Sequence, residues 1–266
     1  MRHSKAALVL AAALCACQPG SVGGTRIPLE AGASRDCTGQ MQVTVEYTVS
    51  DAGRGPPGVE PMTQSFTSTR GGGGYEFVQE GGTSMGPINL RASVRENGTV
   101  TEATLSGTGV APMFSTSPED MNRLAVAAAN SIPERMLLGR GFNVGDRYYT
   151  DAMIRELVDA MSRSMGIPPT FNLNVDASDV KFAGLTSDSG AQAYVFRGTL
   201  HATGGGDFNG QNISLDYPAE VTVAYDPETG LMRSSSTDGV ITTNLDGERQ
   251  SAMRMQQTLT CTIRRA

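Results

Sequence analysis

Apolar and polar side chains alternate along most of this chain, which is the pattern of β-strands that bury one face. The segment 41–49 alternates almost without a break. Turn sequences such as Asn97-Gly98, Asn209-Gly210 and Asp246-Gly247, which tolerate positive φ, separate the segments that follow. The alternation predicts further strands near 63–70, 75–79, 88–95, 99–105, 171–176, 179–185, 192–200, 211–216, 219–225, 231–236, 238–244 and 256–264.

Helical spacing of apolar residues is confined to the middle of the chain. Ser117 is a candidate N-cap, with Pro118 at the first helical position and apolar residues recurring to position 132. A second helix is expected from a cap at Thr150 to Met165. Strands, two helices and more strands, without β-α-β alternation, predict an α+β, mainly β fold. We expect a large antiparallel sheet with a pair of helices, inserted at about 117–166, packed on one face.

The N-terminus has the pattern of an export signal. A basic start with Arg2 and Lys5 precedes the apolar run 6–14, which is shorter than the roughly 20 residues that span a bilayer. The run ends in Leu14-Cys15-Ala16-Cys17, which resembles a bacterial lipobox. The resemblance implies a signal peptide over 1–16 and a lipid chain, such as palmitate, on Cys17. The alternative is an ordinary secretory signal with two incidental cysteines.

The lipobox resemblance also implies where the chain is located. Gln18 follows Cys17, and by resemblance to Gram-negative lipoproteins a residue other than Asp there implies the outer membrane, facing the periplasm. The next residues are rich in Gly, Pro, Ser and Ala, without apolar periodicity. We therefore expect a lipidated, flexible tether over 17–36 and a periplasmic β-rich domain over 37–266.

Charge and histidine content narrow the classes of function. The net charge is −6, and it becomes −8 without the leader, which argues against nucleic acid as a partner. His201 is the only histidine after the leader, so a Ser-His-Asp triad or a histidine-rich metal site is not expected. Gly71–Gly74 lacks the lysine of a phosphate-binding loop and predicts a hairpin tip. We expect no catalysis, no cofactor and no metal ion.

Cys37 and Cys261 are the two cysteines that remain after the leader and Cys17. Each falls on the apolar side of its own alternating segment, and the periplasm is oxidising. The pattern predicts a disulfide between the first and last strands, which would then be neighbours. Two buried free thiols are the alternative.

Methionines are concentrated in the predicted helices, and methionine suits adaptable apolar binding surfaces. Such helices over a curved sheet would line a cavity for a lipid or acyl chain, although the same side chains could simply fill the core between helices and sheet. The residues predicted to line a ligand are Met121, Leu124, Ile154, Leu157, Met161 and Met165.

In its order of elements, the segment 37–264 resembles the half-barrel lipoprotein carriers and receptors of the LolA/LolB-like group. The resemblance implies a curved sheet with helices over one face, and a lipoprotein that binds an apolar ligand or helps to maintain the envelope. A structural or protein-interaction module of the envelope is the alternative function. A hydrolase would need one of three carboxylate pairs, all in predicted turns: Asp176/Asp179, Asp226/Glu228 and Asp246/Glu248.

Overall fold

The computed structural model describes residues 24–47, 58–83, 86–108, 117–164, 171–188, 190–208 and 210–266. Over these residues the protein is an antiparallel sheet of 11 strands with two α-helices. The helices are α1 (Pro118–Asn130) and α2 (Asp151–Ser164), and a short 3₁₀ helix covers Arg135–Leu137. The strands are β1 Ser34–Tyr47, β2 Gly58–Gly71, β3 Gly74–Thr83, β4 Gly86–Arg95, β5 Val100–Ser106, β6 Asn172–Asp176, β7 Lys181–Asp188, β8 Ala191–Phe208, β9 Gln211–Tyr225, β10 Met232–Leu245 and β11 Glu248–Arg264.

The strand order is β5-β4-β3-β2-β1-β11-β10-β9-β8-β6, with β7 also paired to β8. β8 is long enough to serve both short strands, because β7 pairs with its first half and β6 with its second. The sheet does not close on itself, so β5 forms one edge and β6 with β7 forms the other. The predicted α+β, mainly β class, with helices inserted between two groups of strands, is confirmed.

The helices require the sheet to curve. α1 packs against β4 and β5 at one edge, α2 packs against β6 near the other, and the two helices pack against each other. Neighbouring strands lie about 4.8 Å apart, so a flat sheet would hold β5 and β6 roughly 43 Å apart. The two packed helices, together with their contacts to the edge strands, span only about 30 Å from one edge of the sheet to the other. The sheet is therefore a half-barrel whose two edges are joined by the helix pair.

The first and last strands are neighbours, as the two cysteines predicted. Cys37 of β1 lies directly opposite Cys261 of β11, and the two form a disulfide that joins positions 224 residues apart. Gly39 allows the close approach of these strands, since a Cβ there would lie 1.8 Å from the carbonyl oxygen of Thr258. The predicted disulfide is confirmed.

The tether prediction over 17–36 is wrong for residues 24–36. Ile27, Leu29 and Ala33 are buried, and β1 begins at Ser34. The apolar positions of this segment are too few, and too interrupted by Pro and Gly, to show a recognisable alternation in the sequence. Their side chains are nevertheless buried in the core. Cys17 and the rest of 1–23 lie outside the described residues.

Strand boundaries also differ from the sequence prediction. The segments predicted at 211–216 and 219–225 form one strand, β9, and those at 231–236 and 238–244 form one strand, β10. Pro218 removes one backbone donor without ending β9, because the flanking residues stay paired with β8. β8 extends to Phe208, beyond the predicted end at 200.

The predicted turns and helix starts agree with the structure. Gly72 and Gly73 form a hairpin tip with positive φ, and Gly98 and Gly247 take positive φ in their turns. The Ser117 hydroxyl accepts a hydrogen bond from the Asp120 amide, as an N-cap does. Asn130 ends α1 two residues earlier than predicted, and residues beyond it form a link that runs over the sheet.

Candidate functional site

The inner face of the half-barrel, the face that carries Cys37, has two halves. The closed end is the end with the β2–β3, β4–β5 and β9–β10 turns, and the link 131–149 packs over the inner face there. The open end is the opposite end, where β1 ends at Tyr47, β2 begins at Gly58 and β10 meets β11. We call the inner-face residues near these two ends the closed half and the open half.

Aromatic side chains fill the closed half. The ring of Phe196 packs edge-on to Phe142 and Tyr225, with centroids 4.9 and 5.8 Å apart, and it also contacts Tyr148 and Phe182. All five residues are buried. Such edge-to-face packing adds to the burial of apolar area, so this half is a solid core rather than a cavity.

A buried ion pair fixes the link to the sheet in the closed half. The guanidinium of Arg35 on β1 donates to both carboxylate oxygens of Glu134, at 2.6 and 3.2 Å, and both side chains are fully buried. The same guanidinium donates to Gln64 and to the sulfur of Cys37. Glu134 also accepts the backbone amide of Met232 at 2.9 Å. Every charge-bearing group of the pair is thus satisfied, which a buried ion pair requires.

Two buried tyrosines form a second connection. The hydroxyls of Tyr148 and Tyr225 are hydrogen-bonded to each other, and the Tyr225 hydroxyl donates to the carbonyl of Pro133 at 2.9 Å. Burial raises the pKa of both phenols well above the ordinary value, because the phenolate would lose its hydration. These tyrosines are therefore structural hydrogen-bonding groups at neutral pH.

The open half continues the same inner face with apolar side chains that are only half-buried. On β1, residues 41, 43 and 45 follow Cys37 with the same orientation, and their opposite residues on β11 are 257, 255 and 253. Among the described residues of β1 and β11, those that belong to the two main buried clusters all lie in the closed half. The half-buried apolar residues of the open half are Met41, Val43, Val45, Met62, Leu200, Ile213, Leu215, Tyr217, Ile241, Met253 and Met255.

Methionines form the centre of the open half. Met41 of β1 lies directly opposite Glu60 of β2 and Gln257 of β11. Met62 of β2 and Met255 of β11 share its face and lie two residue pairs away along their ladders, in opposite directions. Met253 follows Met255 on the same face. The unbranched thioether side chain adapts its shape to the partner it contacts, which suits a surface that receives a flexible apolar ligand.

The outer face of the same strands is polar. Between the apolar positions of β1 lie Gln40, Gln42, Thr44 and Glu46, and β11 carries threonines at 258, 260 and 262. Arg254 of β11 pairs with Asp238 of β10 through two hydrogen bonds of 3.0 and 2.8 Å. On β1 the apolar positions therefore face inward and the polar positions face outward.

A separate groove of about 670 Å³ lies between α2 and β6. Ile154, Val158 and Leu173 give it an apolar side, whereas Asp151, Asp159 and Asp176 give it an acidic one. Tyr149 lies at its base, and burial raises the pKa of this phenol to about 12. The mixed lining is less suited to an acyl chain than the open half of the inner face.

The predicted ligand-lining residues have different environments. Leu124 is buried on α1, whereas Met121 on α1 and Leu157 on α2 are half-buried. Ile154 lines the groove beside β6. Met161 lies within α2, and Met165 lies outside the described residues. The two helices contact each other, and the amide of Asn130 donates to Glu156 at 2.7 Å between them.

The three carboxylate pairs organise turns. Asp226 accepts the amides of Glu228 and Thr229 and pairs with Arg233 at 2.8 Å. Burial opposes its ionisation, but the hydrogen bonds from Thr229 and Glu228 outweigh burial and lower the pKa of Asp226.

The other two pairs have similar roles. Asp176 accepts the amide of Ser178, which lowers the pKa of Asp176, and Asp246 accepts the amide of Asn212 in a hairpin. No cluster of three or more metal-binding side chains was found in the part of the chain that the structure describes. A search of those same residues finds no helix with the length and apolar character needed to cross a bilayer.

Neither a family model nor a curated protein matches this chain. Among solved structures, lipovitellin, described for its lipid–protein interactions, is 7% identical with a TM-score of 0.35; the match covers 90% of this chain and 26% of lipovitellin. This chain therefore spans about a quarter of lipovitellin.

Two bacterial proteins are also similar over most of their length. The attachment invasion locus protein Ail of Yersinia pestis is 9% identical, with 87% of this chain and 99% of Ail covered and a TM-score of 0.19. Salmonella typhi OmpF, solved with daunomycin, is 7% identical, with 86% and 97% covered and a TM-score of 0.19. All three TM-scores are below 0.5.

Proposed function

We propose that this chain is a lipid-anchored protein of the bacterial cell envelope that binds an extended apolar ligand, such as an acyl chain, on the open half of its inner face. It acts without catalysis, cofactor or metal ion. Its anchor is the lipidated Cys17, and it faces the periplasm from the outer membrane.

The incompletely buried apolar side chains of the open half are the observation that carries this proposal. Folding normally buries aligned apolar side chains, yet Met41, Val43 and Val45 remain half-buried on a face whose other half is a solid core. From Met41 to Val45 the strand rises about 13 Å, which gives an apolar track rather than a spot. A row of apolar side chains that folding leaves only half-buried is a candidate binding surface.

The closed half supports the same function by holding the track in place. Arg35, which binds Glu134 of the link, and Cys37, which is disulfide-bonded to Cys261, lie on β1 six and four residues before Met41. A rigid base lets the ligand meet a preformed surface, so little of the binding free energy is lost to ordering the protein. The carboxylate pairs, in contrast, are used in turns and hairpins.

Ligand binding is tested with the domain exported without Cys17 and analysed by native mass spectrometry after addition of palmitate. We expect a fatty-acid adduct on the unmodified domain and at least a tenfold weaker one on Val43→Asp, which places a carboxylate in the track. The matched control is Thr44→Asp, the next residue on the outer face, which should bind normally. A domain without an adduct, or equal loss in both variants, would contradict the proposal.

The anchor is tested in cells with radiolabelled palmitate and membrane fractionation. Cys17→Ser should lose the label and appear in the soluble periplasmic fraction. Cys15→Ser, two residues upstream, should keep both the label and the membrane location. If Cys17→Ser stays in the membrane fraction, the chain is not held by a lipid on Cys17.

A further inference from the structure

The chain enters the described domain at the closed end. The amide of Thr25 donates to the carbonyl of Phe142 at 2.8 Å, and the amide of Phe142 donates to the carbonyl of Thr25 at 2.9 Å. Gly24 lies so close to the backbone of Phe142 that a Cβ there would be 2.6 Å from the Phe142 nitrogen. The N-terminal segment is thus fixed beside the link 131–149, at the end of the half-barrel opposite to its open end.

This entry point leaves a short connection to Cys17. Eight residue steps separate Cys17 from Thr25, so the connection spans at most about 29 Å when fully extended. β1 runs from Ser34 at the closed end to Tyr47 at the open end, 13 steps that rise about 43 Å. The connection from Cys17 to Thr25 is therefore shorter than β1, and it keeps Cys17 close to the part of the domain where the link 131–149 lies.

The surface next to the entry point is apolar at its tip. Val144 is 75% exposed, and it follows Phe142 by two residues in the link. Leu185 of β7 is 51% exposed, and its neighbour Gly184 lies against Val144, whose Cγ2 would be 3.3 Å from a Cβ at that glycine. Two of the most exposed large apolar side chains thus adjoin each other where the connection to Cys17 begins.

The open end has the opposite character. Glu46 and Asp207 lie near the ends of β1 and β8, and the β10–β11 hairpin carries Asp246 and Glu248. These polar side chains, with Arg249 beside Glu248, favour water, whereas exposed apolar side chains are attracted to the boundary of the acyl chains. Chain length and surface chemistry agree on which end meets the membrane.

We infer that Val144 and Leu185 rest on the lipid surface of the membrane that holds Cys17, with the open half directed away from it. This inference rests on the proposed lipid anchor. Val144 and Leu185 thus contact the lipid surface itself, and the ligand of the open half enters from the aqueous side.

The chain contains no tryptophan, so single tryptophans report on their own surroundings. Val144→Trp and Leu185→Trp are prepared in the full, lipidated protein and inserted into phosphatidylethanolamine–phosphatidylglycerol vesicles with brominated acyl chains. The matched control is Val59→Trp, a residue that is 59% exposed near the open end. Exposed positions tolerate substitution, so all three variants should fold.

We expect bromine to quench at least half of the fluorescence at positions 144 and 185 and less than a tenth at 59. Quenching at 59, or none at 144 and 185 while the protein stays on the vesicles, would overturn the orientation. Fractionation of Cys17→Ser and palmitate binding by the soluble domain are measured in parallel. If Cys17→Ser remains with the membrane, the anchor proposal fails; if the anchor holds and position 59 is quenched, only the orientation fails.

Discussion

The closed and open halves of the inner face belong to the same strands but differ in how they are stabilised. β1 carries the fully buried Arg35 and the disulfide-bonded Cys37 at one end, and the half-buried Met41 and Val43 a few residues later. The closed half combines an aromatic core with a fully hydrogen-bonded ion pair. The open half has apolar side chains on β1 and β11 that lie outside the main buried clusters.

This difference teaches how one sheet can provide both stability and an adaptable surface. Residues that specify a single packing arrangement, such as Glu134 and Phe196, are concentrated where the link covers the strands. Residues that accept several arrangements, such as Met41 and Met255, lie in the open half, where the proposed ligand would bind. Substitutions of the same kind should therefore have unequal effects in the two halves.

The largest effect is expected for Glu134→Ala in the closed half. The substitution leaves the buried guanidinium of Arg35 without its carboxylate and the Met232 amide without its acceptor. Removing one member of a buried ion pair costs about 3–5 kcal/mol, and we expect the free energy of unfolding to fall by that amount. Urea denaturation followed by circular dichroism measures the change.

Two controls separate charge from packing in this experiment. Glu96→Ala removes the partner of Arg70 in an exposed ion pair, and such pairs contribute at most about 1 kcal/mol. The double variant Arg35→Met/Glu134→Leu replaces the buried pair by apolar groups and should recover most of the lost stability. A loss of similar size in Glu96→Ala and Glu134→Ala would show that the closed half is not held by this pair.

A smaller effect, dependent on pH, is expected from the tyrosines of the closed half. An unfolded tyrosine loses its proton near pH 10, whereas burial raises the pKa of Tyr148 and Tyr225 in the folded protein. Above pH 10 the unfolded state binds fewer protons than the folded state, so stability is complete below pH 10 and falls as pH rises. The slope should reach about 1.4 kcal/mol per pH unit for each tyrosine.

Tyr225→Phe tests the origin of this slope. At pH 7 the variant loses the hydrogen bonds to Pro133 and to the Tyr148 hydroxyl, each of which contributes about 1 kcal/mol. Between pH 10 and 11 its stability should fall less steeply than that of the unmodified protein, because one raised pKa is gone. Parallel curves for the two proteins would show that alkaline unfolding has another cause.

The smallest effect is expected at Val43, and its comparison with Val223 distinguishes the two halves most directly. Val43→Thr and Val223→Thr make the same change on the same face, but Val43 is half-buried in the open half and Val223 is buried in the closed half. Burying an unpaired hydroxyl costs about 1–3 kcal/mol, so Val223→Thr should lower stability by that amount. Val43→Thr should change it by less than about 0.5 kcal/mol. Equal losses at both positions would mean that the open half is part of the folded core.

The outline of the fold could be predicted from local patterns. Alternation placed Cys37 and Cys261 on the apolar faces of their strands, and this was enough to predict the disulfide between the first and last strands. The turn at Asn97-Gly98 and the helix N-cap at Ser117 were also predicted correctly, because each is determined by a few neighbouring residues. Features with a local cause were therefore accessible from sequence.

The candidate site depended on contacts that local patterns do not contain. Arg35 has the same orientation as Cys37, but a charged residue is normally assigned to solvent, and its partner Glu134 is 99 residues away. Met41, Met62 and Met255 come together only through the pairing of β2, β1 and β11. The methionine surface was therefore expected on the helices, whereas the structure also provides one on the strands. The alternation at Met41, Val43 and Val45 was the available signal.

The pairing of β1 with β11 has a consequence for the order in which the protein can fold. The strands β1–β5 are contiguous in the chain and pair as they emerge, but the second edge of β1 waits for a partner 224 residues later. Closing a loop of that length costs conformational entropy before any contact between β1 and β11 stabilises the chain, so this pairing forms slowly. During this time β1 presents an unpaired edge in the middle of the future sheet, where other chains can add to it. The slowest and most aggregation-sensitive step of folding is therefore the joining of the two ends of the chain.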